Sequence, residues 1–222
     1  VINTIPAYED LGAVANVFYV APDGLDNSTT GRGLSDSAPF KSVKYACDYI
    51  FQDEATRSPA TIFVKTGTYK EQLPIKVPAD VAIVGDELRS TRIEPASTAF
   101  EDQDMFRVRN GCGIRNMTLA GLKGSLGNID TFQTKRVTGG AFVALDPGDG
   151  PSDQSVWITN KSTYVQNVST FGEECIGLRI DGDLHNGGNK SVVANDFTQI
   201  LQQGIGFWCS GEGKAELVSV FT

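Results

Sequence analysis

The segment Gly113-Ile114-Arg115-Asn116-Met117-Thr118 recurs in altered form three times before the end of the sequence. Its copies are Tyr164-Val165-Gln166-Asn167-Val168-Ser169, Val192-Val193-Ala194-Asn195-Asp196-Phe197 and Glu216-Leu217-Val218-Ser219-Val220-Phe221. One aligned position is always large and apolar, and it holds Ile114, Val165, Val193 and Leu217. The position two residues later is always a small polar residue, and it holds Asn116, Asn167, Asn195 and Ser219. A short segment that recurs in this way predicts a repeat protein.

The spacing of the copies indicates one supersecondary unit per repeat. The polar position steps by 167−116=51, 195−167=28 and 219−195=24 residues, so the last two steps match one unit and the first matches about two. A second short strand precedes each copy: Phe106-Arg107-Val108, Val156-Trp157-Ile158, Leu178-Arg179-Ile180 and Phe207-Trp208-Cys209. In each triplet the middle residue is Arg or Trp and the outer residues are apolar or small. This period of two is typical of strands whose alternate side chains face opposite sides of a sheet.

Units of this length cannot bury an apolar face alone. Stacking them about 4.8 Å apart buries a continuous one, so the pattern predicts a parallel β-helix. Asn116, Asn167 and Asn195 are predicted to stack at one corner, where their amides hydrogen-bond to each other and to the turn backbone. The alternative is that each is an ordinary turn residue.

The first 60 residues differ from the rest. They are predicted to hold a lead-in strand, a polar loop and one helix, whereas residues 61–222 form the coils of the same domain. Ser42 is placed to cap the helix, whose apolar face consists of Val43, Ala46, Cys47 and Ile50. We expect this helix to cover the open apolar end of the β-helix.

The composition excludes several classes of protein. The 222 residues carry a net charge of −8, and the Lys and Arg clusters that nucleic-acid phosphates need are absent. No apolar run approaches the roughly 20 residues that cross a bilayer. Four cysteines without metal-ligand spacing predict buried, reduced thiols, with Cys209 on an inward strand position. We expect neither a metal nor a cofactor.

Two resemblances follow from longer motifs. The segment Tyr19-Val20-Ala21-Pro22-Asp23-Gly24, with Pro39-Phe40-Lys41-Ser42-Val43 and Gly67-Thr68-Tyr69, resembles the opening of pectin-lyase-like right-handed β-helix proteins. A second set of segments looks like virion structural proteins of contractile-tailed cyanophages. It consists of Leu73-Pro74-Ile75-Lys76-Val77-Pro78, Ile83-Val84-Gly85-Asp86-Glu87-Leu88-Arg89, Ile180-Asp181-Gly182 with His185, and the final eight residues. The first resemblance implies a right-handed, all-β parallel β-helix. It does not imply one activity, since that superfamily includes lyases, hydrolases and non-enzymatic phage proteins. In the second family the sequence continues past the equivalent of Thr222, so the chain looks like an N-terminal portion or a shortened relative.

The candidate catalytic residues are Asp181, Asp183 and His185, the last of which is the single histidine of the chain. They lie in a predicted protruding loop, where an acid and an imidazole can act as general acid and base. The alternative is a Gly-rich turn whose polar side chains bond their own backbone. The acidic residues Glu101, Asp102 and Asp104 are predicted to lie in a solvated turn.

The candidate contact residues are Trp157, Arg179 and Trp208. As the middle residues of successive strands, they should point outward and stack, with the guanidinium between two indoles. Interfaces are enriched in both residue types. The alternative is that neighbouring loops cover these side chains as a small buried cluster.

Together these patterns predict a non-catalytic structural protein of the virion, in the tail, baseplate or fibre, made in the host cytoplasm. Its expected partners are other virion proteins and further copies of itself. The last strand presents unpaired backbone and apolar side chains, which either more chain or another subunit would cover. The alternative is a β-helix that binds host surface polysaccharide or cleaves it as a lyase or glycoside hydrolase.

Overall fold

The computed structural model describes residues 16–124, 140–145, 161–181, 191–211 and 213–222. Two helices lie in the first part of this range, α1 (Val43–Phe51) and α2 (Glu54–Arg57). The strands before residue 100 are β1 (Asn16–Val20), β2 (Ala60–Val64), β3 (Gly67–Glu71), β4 (Ile75–Lys76), β5 (Val81–Gly85) and β6 (Thr91–Pro95). The later strands are β7 (Phe106–Val108), β8 (Gly113–Lys123), β9 (Ala141–Leu145), β10 (Thr163–Glu173), β11 (Ile176–Asp181), β12 (Ser191–Gln202), β13 (Ile205–Ser210) and β14 (Lys214–Phe221).

The protein is mostly β, and the strands of the described residues form two parallel sheets. The nine-stranded sheet has the order β1-β2-β5-β8-β10-β12-β14, with β3 and β6 paired beside it, and the five-stranded sheet has the order β13-β11-β9-β7-β4. From β7 onward the chain alternates between the two sheets, and each new strand is added beside the preceding strand of its own sheet. This arrangement accounts for the recurring pairs of short strands in the sequence.

Helix α1 begins after Ser42, whose hydroxyl accepts a hydrogen bond from the Tyr45 amide at 3.2 Å. Its buried residues are Val43, Ala46, Cys47 and Ile50, and they belong to the main core. The prediction of a single helix was wrong, because α2 follows two residues after α1 ends. None of the helices in the described part of the chain is long and apolar enough to span a membrane.

The sequence alignment of the third repeat was wrong by one residue. In the pairing of β10 with β12, Val165 lies opposite Ala194 rather than Val193, and Gln166 lies opposite Asn195. Asn167 therefore neighbours Asp196, so Asp196 and not Asn195 continues the column of Asn116 and Asn167. The cause is conformational. The corner needs a left-handed backbone, with φ of 56° at Asn116, 52° at Asn167, 51° at Asp196 and 52° at Ser219, and Asp adopts this conformation much as Asn does.

The main core contains residues of both sheets and of α1. Ile83, Ile114, Val165 and Ala194 form one fully buried inward column of the nine-stranded sheet. Leu217 continues this column on β14 but is 46% exposed, because no further strand of the described residues covers it. Cys209 is in the same situation in the five-stranded sheet: it lies beside buried Ile180 and is nevertheless exposed. The prediction that Cys209 is buried was therefore wrong.

Candidate functional site

The outward face of the five-stranded sheet carries one continuous column of side chains. Strand pairing places Lys76 beside Arg107, Arg107 beside Ala144, Ala144 beside Arg179 and Arg179 beside Trp208. Adjacent strands lie about 4.8 Å apart, so the two arginines lie on either side of one small residue. We call these five residues the basic–aromatic column. It is the candidate functional site because it gathers two of the three predicted contact residues.

Asp104 holds the two arginines in place. Its Oδ2 accepts hydrogen bonds from Arg107 Nε at 3.0 Å and from Arg179 Nη2 at 2.7 Å, and its Oδ1 accepts one from the Ala141 amide at 3.1 Å. The Asp104 side chain is 3% exposed and that of Arg179 is 13% exposed. Asp104 does not lie in a solvated turn, as the sequence suggested. It is a buried counter-ion, and breaking such a pair is costly because one charge stays buried without compensation.

The predicted stack of Trp157, Arg179 and Trp208 is present only in part. Arg179 and Trp208 are neighbours, but the guanidinium reaches back to Asp104. Trp208 is half-buried and packs against a small apolar cluster of Ala141, Ala144 and Ile176. The contacts of Trp208 therefore agree with the alternative prediction, in which this side chain belongs to a small buried cluster.

Strand β9 takes the place that the Trp157 strand was predicted to fill. It pairs with β7 on one side and with β11 on the other, so the neighbour of Arg179 on that side is Ala144. All five residues of β9 are buried, as expected for an interior strand that is covered on both faces. Trp157 itself lies outside the described residues.

The candidate catalytic residues cannot be assembled into a site from the described residues. Asp181 is the last residue of β11, and Asp183 and His185 lie outside the described range. Within the described range, no group of three or more His, Cys, Asp or Glu side chains is arranged to hold a metal ion. Burial raises the pKa of the Cys112 and Cys175 thiols to about 12, which makes them poor nucleophiles at neutral pH.

Asn116 and Asn167, which were predicted to stack at one corner, lie beside each other on the nine-stranded sheet. Asn167 Nδ2 donates a hydrogen bond to Asn116 Oδ1 at 3.1 Å. The hydrogen bond links strands that are 51 residues apart in the sequence. Its effect is to fix the register of β8 against β10 at the point where both strands bend.

A second buried carboxylate lies beside the start of α1. Glu71 on β3 is 1% exposed, and its oxygens accept hydrogen bonds from the amides of Val43 at 2.7 Å and Lys44 at 3.2 Å. These are the first amides of α1, which have no partner inside the helix. Burial raises the pKa of Glu71 to about 7, although the two backbone hydrogen bonds act in the opposite direction. Glu71 therefore ties α1 to the sheet.

The burial of these two carboxylates was not predicted from the sequence. For Asp104 a signal existed, since it lies only three residues before Arg107 and carries the opposite charge. For Glu71 no local signal existed, because its partners Val43 and Lys44 are 28 and 27 residues away and are backbone amides. Charge patterning detects only pairs that are close in sequence.

One comparison with known proteins gives a match. A family model described as "Protein of unknown function (DUF1565)" matches residues 23–217, which is more than half of the chain. No curated protein and no solved structure matches. The family match and the parallel sheets are both compatible with a parallel β-helix.

Proposed function

We propose that this chain, which belongs to the DUF1565 family of proteins of unknown function, is a structural component of a virion in the tail, baseplate or fibre. The proposal is supported by the sequence resemblance to virion proteins of contractile-tailed cyanophages and by the parallel pairing of the strands. We further propose that the two sheets are faces of a right-handed β-helix and that α1 is its N-terminal cap. Supporting this, α1 contributes its whole apolar face to the main core, and Glu71 binds its first amides.

The observation that carries the proposal is the basic–aromatic column. Interfaces are enriched in Trp and Arg, and most of their binding energy comes from a few such residues. Asp104 fixes both guanidiniums in advance, so a partner would lose less side-chain entropy on binding them than on binding free arginines. Virion neighbours that present carboxylates and an apolar rim would match this column.

The buried acids support a role without catalysis. Glu71 is engaged with the start of α1, and Asp104 is engaged with two arginines and the Ala141 amide. A catalytic carboxylate must instead reach the reacting atoms of a substrate. The two buried carboxylates of the described residues thus stabilise structure.

Two measurements test this function. Electron microscopy of purified particles, labelled with antibody against this chain, should place it on the tail, baseplate or fibre. Trp208→Ala should weaken association of the purified chain with such particles, or with itself, by about 30-fold, which corresponds to about 2 kcal/mol at an interface hot spot.

Leu34→Ala is a suitable control, because Leu34 is 54% exposed on a loop far in sequence from the column. Leu34→Ala should keep the circular dichroism spectrum and melting temperature of the parent. Trp208→Ala should keep the spectrum but melt at a lower temperature, because it loses its packing against Ala141, Ala144 and Ile176. Unchanged association of Trp208→Ala would refute the contact surface. Product release from host exopolysaccharide by the parent chain would instead establish the polysaccharide-cleaving alternative.

A further inference from the structure

Strand β3 has one edge that no strand of the described residues covers. Its one partner among those strands is β6. The Gly67 amide donates a hydrogen bond to Ser90 O at 2.7 Å, on the side of β6. Because successive residues of a strand direct their N–H and C=O groups to opposite edges, Thr68 and Lys70 direct theirs to the uncovered edge. We call the backbone of these two residues the free edge of β3.

The chain protects the outer edge of β1 in a way that it does not protect β3. Tyr19 donates a hydrogen bond to Gly33 O and accepts one from the Phe40 amide, each at 2.8 Å, so the loop before α1 covers this strand. Within the described part of the chain, no such segment bonds to Thr68 or Lys70 on the free edge of β3. An uncovered strand edge is ready to pair with a further strand. The free edge of β3 is therefore open to another polypeptide.

Lys70 does not guard this edge, although a lysine on an edge strand commonly discourages pairing. Its ammonium forms an ion pair with Glu94 of β6, the strand on the opposite side of β3. The side chain is thus directed toward β6 and its charge is neutralised there. Thr68 and Lys70 are both exposed, so the backbone of the free edge stays accessible.

A cleft of about 640 Å³ lies beside the free edge. It is lined by residues 68–72 on the side of β3, and by Lys41, Tyr45 and Asp48 on the side of α1. This volume is within the range of about 300–1,000 Å³ that is typical of ligand-binding pockets. The cleft therefore gives an added strand space between β3 and α1.

Lys41 is a cation of this cleft without a partner among the described residues. Lys44 pairs with Asp48 at 3.6 Å, and Asp26 is engaged by the amides of Lys41 and Ser42 at 2.8 and 3.1 Å. The exposed ammonium of Lys41 forms no ion pair and no hydrogen bond with the described part of the chain. It is therefore available to an acidic side chain from outside the chain.

We propose that the free edge of β3 binds an extended, acidic peptide segment of a partner protein, which adds to β3 as a further strand. The backbone of the segment pairs with the N–H and C=O groups of Thr68 and Lys70, as in other complexes formed by strand addition. One acidic side chain of the segment lies beside Lys41, and an apolar one packs on the ring of Tyr45.

A peptide suits this site better than a sugar or a nucleotide does. The free edge offers backbone donors and acceptors at the spacing of a strand, and a polypeptide carries the matching groups at the same spacing. This inference does not depend on the proposed virion role, which rests on the basic–aromatic column of the other sheet.

The first test uses random heptapeptides displayed on phage, which are selected on the immobilised full chain. The enriched peptides are synthesised and their affinities are measured by calorimetry. Each peptide is then made in versions with one backbone amide N-methylated. Strand addition predicts an alternating pattern, because only every second amide of the peptide pairs with β3. N-methylation at those amides should weaken binding by about tenfold, and at the amides between them by less than about twofold.

The second test changes the protein. Thr68→Pro removes an N–H group from the free edge but keeps the hydrogen bonds to β6, so it should weaken peptide binding by about tenfold and keep the parent melting temperature. Lys41→Gln should weaken binding by about threefold, as expected for an exposed ion pair. Lys214→Gln is the matched control, because Lys214 is also exposed but lies on β14, and it should leave binding unchanged.

Failure to enrich any peptide above an uncoated surface overturns the proposal. A uniform response to N-methylation overturns strand addition, and this result does not require any variant of the protein to fold. Enriched peptides that lack Asp and Glu, or that bind Lys41→Gln as tightly as the parent, overturn the assignment of an acidic partner. Self-association of the chain that Thr68→Pro abolishes assigns the edge to a second copy instead. Alternating sensitivity to N-methylation, with loss of binding in Thr68→Pro, supports the proposal.

Discussion

Replacing Glu71 by Gln should change how the stability of the protein depends on pH. The Glu71 carboxyl is 1% exposed, and desolvation is the main reason why its pKa rises from 4.5 to about 7. In the unfolded chain the same group is solvated and titrates near its ordinary value. Between these two pH values the folded protein binds a proton that the unfolded chain has already released.

The sign of the effect follows from linkage. Stability falls with rising pH wherever the folded state binds more protons than the unfolded state. The contribution of Glu71 is therefore fully present below about pH 4.5, decreases through the interval and is lost above about pH 7. A shift of this size corresponds to about 3 kcal/mol, at 1.36 kcal/mol per pKa unit. Gln is nearly isosteric and does not titrate.

The assay is urea unfolding of both proteins at half-unit steps from pH 4.5 to pH 8. The difference in unfolding free energy, wild type minus Glu71→Gln, removes the contribution of all other titrating groups. That difference should fall by about 3 kcal/mol across the interval, in line with the shift in pKa. A flat difference would show that Glu71 is not desolvated. A rise with pH would show that its hydrogen bonds to the α1 amides outweigh burial.

Two further predictions concern the sites that hold the sheets together. Asp104→Asn should lower the unfolding free energy by about 3 kcal/mol, because two partly buried arginines lose their counter-ion. Asp48→Asn breaks a partly exposed pair with Lys44 and should change the unfolding free energy by less than about 1 kcal/mol in the same urea titration. Asn167→Leu should lower the unfolding free energy by about 2 kcal/mol, since it loses the hydrogen bond to Asn116 and places a branched side chain at φ 52°. Asn167→Gly loses the same hydrogen bond but tolerates this φ, so it should lower the unfolding free energy by only about 1 kcal/mol. Equal losses from the two Asn167 variants by thermal melting would contradict the role of the left-handed corner.

Features with a local cause could be predicted from the sequence. The parallel β architecture follows from short alternating strands that recur at the length of one unit. The apolar face of α1 follows from the spacing of Val43, Ala46, Cys47 and Ile50 after Ser42. Each of these signals is contained within about a dozen residues, where periodicity and capping chemistry apply.

Features that depend on a backbone conformation or on a distant partner could not be predicted. The alignment of repeats followed residue identity, but the corner selects a positive φ, so Asp196 replaced Asn195. The neighbour of Arg179 was assigned by order in the sequence, but β9 pairs directly with both β7 and β11. Asp104 and Arg179 are 75 residues apart, and only the folded sheets bring them within 2.7 Å.

The left-handed corner also has a consequence for how the chain can vary. Successive corners at Asn116, Asn167, Asp196 and Ser219 are separated by 51, 196−167=29 and 219−196=23 residues, yet the inward columns beside them stay aligned. The number of residues between two corners therefore does not determine how the strands at those corners pair. Changes in the number of residues between two corners are therefore expected to leave the pairing of the flanking strands unchanged.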